Sequence, residues 1–179
     1  MRYVKWTLWA IIATLIFAFL HYTLPQHDIV RIVGTENRRI DFGENSIFWA
    51  SPDGGTANSG NRDVRFINAV RPNGKVIVYR NEDTGWGWPP YFKLDSSNLQ
   101  TEAQELTSTA ESPKWVSVTH YGWRNEFFTI FPNAVAVKQV EGPEVTIIPL
   151  GNIILLLVVA QFVLVNLRVV LQFSERTSR

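Results

Sequence analysis

The sequence contains no cysteine, which excludes a disulfide staple, a thiolate metal site and a thiol nucleophile. It has three histidines, His21, His27 and His120, and no two of them stand at a ligand spacing such as H-x-x-x-H. No G-x-S-x-G elbow, phosphate loop or dinucleotide fingerprint is present either, so no catalytic residue, metal or other cofactor is expected. Charge is scarce and unevenly spread. None occurs from Trp6 to Leu24, and none from Val145 to Leu167.

What fills the second charge-free stretch is hydrocarbon. Of the 21 residues from Leu150 to Val170, 15 are Leu, Ile, Val or Phe. Each contributes about 0.3–0.6 kcal/mol to membrane insertion, enough together to outweigh Gln161 and the near-terminal Arg168. A helix of this length crosses a hydrocarbon core of about 30 Å. The first stretch is weaker, with nine Leu, Ile or Phe among the nineteen residues from Trp6 to Leu24. Arg2 and Lys5 precede it, as in a signal peptide, but no small-x-small site follows, since the exit reads Phe19-Leu20-His21-Tyr22-Thr23-Leu24-Pro25. An uncleaved signal anchor is expected, with Trp6, Trp9 and Tyr22 at its interfaces.

Arg2 and Lys5 before the first span, with Arg168, Arg176 and Arg179 closing the second, place both termini in the cytoplasm. The expected domains are 1–25, N-terminus and first transmembrane helix; 26–144, a periplasmic β-rich domain; 145–170, the second transmembrane helix; and 171–179, a cytoplasmic tail. The middle segment carries twelve Lys and Arg against fifteen Asp and Glu. A net charge of −3 without a basic stripe argues against nucleic acid. In a bacterium the location is the inner membrane.

Between the anchors, short β-rich runs alternate with turn signals. Asp28–Val33 is the first strand, extending past Gly34 toward Ile40. The segment 51–60 is a flexible loop by composition, and Ile47-Phe48-Trp49 before it should pack on the core. Residues 63–70 and 75–80 flank Asn73-Gly74, the strongest short-range hairpin signal. Leu94–Thr109 is the one soluble helix, with Ser97 and Gln100 as a capping box and Leu99, Ala103 and Leu106 on its buried face. Lys114–Tyr121 is a strand, and Phe127–Phe131 and Ala134–Val140 supply one or two more. The fold class expected is two transmembrane helices flanking a mainly-β extracytoplasmic domain with one helix. Its order of elements is that of an OB-like five-stranded barrel, with an open β-sandwich as the rival.

The loop Asp83–Phe92 sets Trp86, Trp88, Tyr91 and Phe92 among glycines and prolines. Such rings stack on a ligand, grip a partner or lie in a membrane interface. The plainer expectation is that Trp86 or Trp88 plugs one end of the barrel. Arg124 offers a planar fork to a carboxylate or phosphate, with Glu126 as the nearer, local partner. His120 shares a strand face with Val116 and Val118, which makes it a core histidine. The neighbouring carboxylates Asp41 and Glu44, or Glu82 and Asp83, are expected to be solvated. Thr14 and Gln161 fall near mid-membrane, where an amide is costly unless paired, so a Gln161–Thr14 hydrogen bond or a contact with another subunit is expected.

Three runs carry a resemblance: HYTLPQHDIVRIVGTENRRIDFGENSIFWASP, NEDTGWGWPPYFKLDSSNLQ and HYGWRNEFFTIFPNAVAVK. With these the chain resembles the bacterial membrane-protein family catalogued as domain of unknown function 1523, from the first span to the start of the second. The resemblance implies a two-span envelope protein and brings no activity, cofactor or catalytic residue. The expected partners are the lipid bilayer and a protein of the membrane or periplasm. The leading functional expectation is a non-enzymatic accessory piece of an envelope complex. A module for a small molecule, lipid or glycan held near Trp86, Trp88 and Arg124 is the alternative, and an envelope hydrolase comes third.

Overall fold

The computed structural model describes residues 2–41 and 61–177. The loop expected over 51–60, the packing of Ile47, Phe48 and Trp49, and the Glu44 carboxylate lie outside the described residues.

The elements follow in the order α1 (Arg2–Thr23), β1 (Gln26–Asp41), β2 (Asn61–Val70), β3 (Val76–Asn81), α2 (Ser96–Glu105), β4 (Trp115–Tyr121), β5 (Asn133–Gln139) and α3 (Leu150–Thr177). The strands close into a barrel in the order β1-β2-β3-β5-β4, with β4 returning to β1. All neighbours are antiparallel except β3 and β5, which run parallel where Arg80 meets Asn133. The closed barrel with its helix between the third and fourth strands answers to the OB-like order and not to an open sandwich.

The long strand β1 makes this closure possible by serving two neighbours. Its first half, Gln26 to Arg31, pairs with β4, and its second half, Arg31 to Asp41, pairs with β2. A bulge between Ile32 and Gly34 lies where the strand passes from one neighbour to the other. Alternation then fills the interior with Val30, Ile32, Ile67, Ala69, Ile77, Tyr79, Val116 and Val118, all buried. Leu99 and Ala103 of α2 complete this core, with Leu106 packed against it. The β2–β3 turn is the expected one: Gly74 takes φ +79° and donates its N–H to the Arg71 carbonyl at 2.9 Å.

Three local expectations are corrected. Helix α2 begins at Ser96 and is capped by Asp95, whose Oδ1 accepts from the Asn98 N–H at 3.0 Å. The Ser97–Gln100 box does not form, because Gln100 is buried and its Oε1 accepts from Asn81 Nδ2 at 2.8 Å. Phe127–Phe131 is not a strand but a turn, closed by the reciprocal Asn125–Ile130 backbone bonds of 3.1 and 2.8 Å. Thr129 there adopts φ +53°, which no ladder accommodates.

Helix α1 is long and apolar enough over Trp6–Thr23 to cross a membrane, by length and composition. Residues 1–146 form one compact unit and 147–179 a second. In the second, α3 starts at Leu150, directly after Pro149, so 145–149 precede the helix. Its apolar run among the described side chains is Leu150–Val163, shorter than a full span.

Candidate functional site

The most organised surface lies where α1 meets the barrel. Strand β1 begins there at Gln26, paired with His120 near the end of β4, while Tyr121 pairs with Asn133 at the start of β5. Asn133 accompanies Glu82, just past the end of β3, donating Nδ2 to the Glu82 carbonyl at 3.0 Å and accepting the Glu82 N–H at 2.9 Å. Two loops therefore leave the same end of the barrel, one from 82 to 95 and the other from 122 to 132.

The first loop is a clasp with a fixed neck. The Thr84 and Gly85 N–H groups donate to the Lys93 carbonyl at 3.0 and 3.1 Å, and the Lys93 N–H returns to Thr84 Oγ1 at 3.1 Å. The Lys93 side chain turns inward and is 8% exposed. Its Nζ donates to Asn81 Oδ1 and, at 2.7 Å, to the Ala134 carbonyl. Burial pulls this ammonium down to about 7 against the opposing pull of Asp83 and Glu82. Glu82 corrects the expectation of a solvated carboxylate. It is buried and holds Arg80, also buried, at 3.0 Å. Each charge in so dry a place depends on the other, since either alone would be buried without compensation.

From this neck the aromatic tip reaches α1. Tyr91 stacks on Tyr121 with centroids 4.9 Å apart, and its hydroxyl donates to the Thr23 carbonyl at 2.6 Å. Burial pushes the Tyr91 phenol well above its ordinary range. Trp88 stacks on Phe19 of α1 at 5.5 Å, and Trp86 meets Phe92 edge-on at 5.4 Å. Neither tryptophan plugs the barrel: Trp86 is 85% and Trp88 65% exposed, and Phe92 is exposed as well. Tyr91, packed on Tyr121, takes the inner place.

The second loop grips the other side of the helix. The Gly122 N–H donates to the Tyr22 carbonyl at 2.9 Å. Gly122 has φ +91°, and a Cβ there would stand 3.6 Å from both Pro132 Cα and Tyr22 Cε2. Trp123 Nε1 donates to His21 Nδ1 at 2.9 Å, and its ring meets Tyr22 edge-on at 5.3 Å. At about 100° per residue, Phe19 and His21 face nearly opposite directions, so the two loops embrace the last turn of α1. Arg124 is occupied within its own turn. Nη1 donates to the Asn125 and Ile130 carbonyls, both at 3.0 Å, the guanidinium lies 4.6 Å over the Phe131 ring, and Glu126 is 3.9 Å away. The turn it ties presents Phe127, 89% exposed, and Phe128.

Inside the same end of the barrel, Asp28 Oδ2 accepts from the Tyr79 hydroxyl at 2.7 Å and from Arg71 Nη2 at 2.8 Å, with His120 Nε2 3.2 Å away. Burial alone would raise this carboxyl, but the His120, Tyr79 and Arg71 groups outweigh it and hold it well below its ordinary value. His120 is buried on the face of Val116 and Val118, as expected of a core histidine.

Of the residues singled out from sequence, Trp86, Trp88, Tyr91 and Phe92 share the clasp, and Arg124 lies in the opposite loop. Thr14 donates its hydroxyl to Ala10 within α1 at 2.8 Å, and Gln161 is exposed on α3. Lys93 escaped sequence reasoning, as did the contact of Gly122 with Tyr22, which the sequence marks only as an interfacial ring of the first span. A glycine between Tyr121 and Trp123 was the available signal, since rings on both sides of it mark a close backbone approach.

A protein of Haemophilus influenzae described as an uncharacterized protein is 36% identical over 157 residues, covering 88% of this chain and 83% of the relative. No solved structure matches. Residues 1–174 match the family described as protein of unknown function (DUF1523), a span that extends beyond the three runs into α3. The chain belongs to that family.

Proposed function

We propose that this chain is a non-enzymatic inner-membrane protein, with α1 retained as an anchor and the barrel on the periplasmic side. In this reading α3 makes the second crossing, both termini are cytoplasmic, and the barrel docks another protein as an accessory part of an envelope complex. One observation carries it: the last turn of α1 is bonded into the barrel. The Tyr22 carbonyl accepts from Gly122, the Thr23 carbonyl from Tyr91, and His21 from Trp123. Removing the helix as a leader would strip these partners and expose Tyr91, Tyr121 and Trp123, which argues for an anchor. The same embrace fixes the barrel's posture over the membrane, as a docking module requires. The charged groups Asp28, Arg80, Glu82 and Lys93 point inward and bind one another or the barrel, which supports binding by shape over chemistry.

The test is crosslinking in intact cells, followed by purification of the full chain in mild detergent. The expected result is one reproducible second protein, lost when Trp86, Trp88 and Tyr91 become Ala, because the clasp then releases α1 and the barrel loses the posture that docking needs. Recovery of the chain alone, with or without the crosslinker, contradicts the docking role.

A further inference from the structure

The rings on the two loops remain largely open to solvent alongside the contacts they make with one another and with α1. Trp86, Trp88, Phe92, Phe127 and Phe128 are each more than half exposed. Scattered apolar residues are ordinary on a surface, but these are gathered on two loops at one end of the barrel. That end is where the apolar helix leaves. We infer that the two loops form an aromatic collar that sits in the lipid headgroup interface of the bilayer α1 enters, so that the barrel rests on the membrane instead of hanging from a tether.

Depth is set by the helix itself. Trp88 stacks on Phe19, and Phe19 lies inside the apolar stretch Trp6–Thr23. A ring in face contact with that side chain shares its depth, within the last turn of the span. Trp123, on the opposite side, is held at the level of His21 and Tyr22. Tryptophan and tyrosine favour this zone because an apolar body and a polar edge are satisfied there together. The clasp is also stiff, with its neck closed by two backbone bonds, a third bond to the Thr84 hydroxyl and the Lys93 side chain, so its tip is not free to fold back onto the barrel. The lipid interface is favoured over a protein partner because the collar continues the apolar surface of α1 without a break at Phe19.

This inference rests on the reading of α1 as an anchor, and the experiment separates the two. The cysteine-free chain allows single-cysteine variants of the full-length protein, each labelled with an environment-sensitive fluorophore and reconstituted in phosphatidylcholine vesicles containing a shallow or a deep nitroxide-lipid quencher. Trp86→Cys and Phe127→Cys test the collar, and Ile16→Cys reports on the middle of α1. Glu111→Cys, exposed before the far end of β4, serves as the aqueous control. The expected result is loss of Trp86→Cys and Phe127→Cys fluorescence to the shallow quencher, of Ile16→Cys fluorescence to the deep one, and no loss at Glu111→Cys. Quenching at Ile16→Cys with either collar probe as unquenched as Glu111→Cys overturns the collar and leaves the rings to a protein partner. An unquenched Ile16→Cys overturns the anchor, and the collar with it.

Discussion

Replacing Lys93 with Met probes the neck of the clasp, and its consequence depends on pH in a way that can be worked out. The folded chain releases the Lys93 proton near pH 7, whereas an unfolded lysine holds it to 10.5. Between those values the unfolded state binds more protons, so stability rises with pH. At about 1.36 kcal/mol per pH unit, the gain from pH 6 to pH 9 is about 2–3 kcal/mol. The neutral amine retains two N–H donors, so the bonds to Asn81 Oδ1 and the Ala134 carbonyl survive deprotonation. Methionine keeps the shape and removes both donors, leaving two buried acceptors short of a partner at about 1–3 kcal/mol each. At pH 9 the variant should therefore be less stable by about 2–6 kcal/mol. At pH 6, where the wild type bears a buried charge, the gap should narrow by about 2–3 kcal/mol. Urea unfolding of both proteins in the same detergent, followed by tryptophan fluorescence, measures the difference and cancels the other titrating groups. A gap constant from pH 6 to pH 9 would refute the claim that the interior strips Lys93 of its proton.

The Asp28→Asn variant should cost about 2–4 kcal/mol, because Tyr79 and Arg71 lose a charged acceptor. The wild-type carboxyl is held below its ordinary value, so its contribution is complete above about pH 4 and fades on acidification; the variant should lack that acid limb in urea unfolding. Gly122→Ala should destabilise by about 1–2 kcal/mol, since φ +91° is strained for any residue with a Cβ. It should also speed amide exchange at residue 122 by releasing the Tyr22 carbonyl. Gln161→Leu should weaken assembly of the chain in the membrane, read by crosslinking and detergent stability, and unchanged values would dismiss an intramembrane role for that amide.

Much of the barrel was legible because its signals are local. Asn73-Gly74 demands a tight turn, period-two alternation marks Val116 and Val118 as interior, and Leu99 with Ala103 marks the inner face of α2. The failures share a cause in groups recruited from a distance. Gln100 was expected to cap its own helix but serves Asn81, nineteen residues earlier in the chain. Glu82 looked like a surface carboxylate because nothing nearby in sequence says that Arg80 would be dry beside it. Phe127–Phe131 had strand composition, but Arg124 bonds the Ile130 carbonyl and bends it into a turn. The clasp was visible as an odd composition, yet its purpose was not, since Phe19 and Trp88 lie 69 residues apart and only the closed barrel brings them together. Gly122 shows the same limit, because the carbonyl it receives belongs to the helix.

The most direct measurement is the intact mass of the protein purified from native membranes, together with its release by alkaline carbonate. The expected result is a chain that keeps residues 1–25 and stays in the membrane pellet, because α1 is built into the barrel it carries. A mature chain beginning near Gln26 and found in the soluble fraction would contradict the claim that helix and barrel are one working unit.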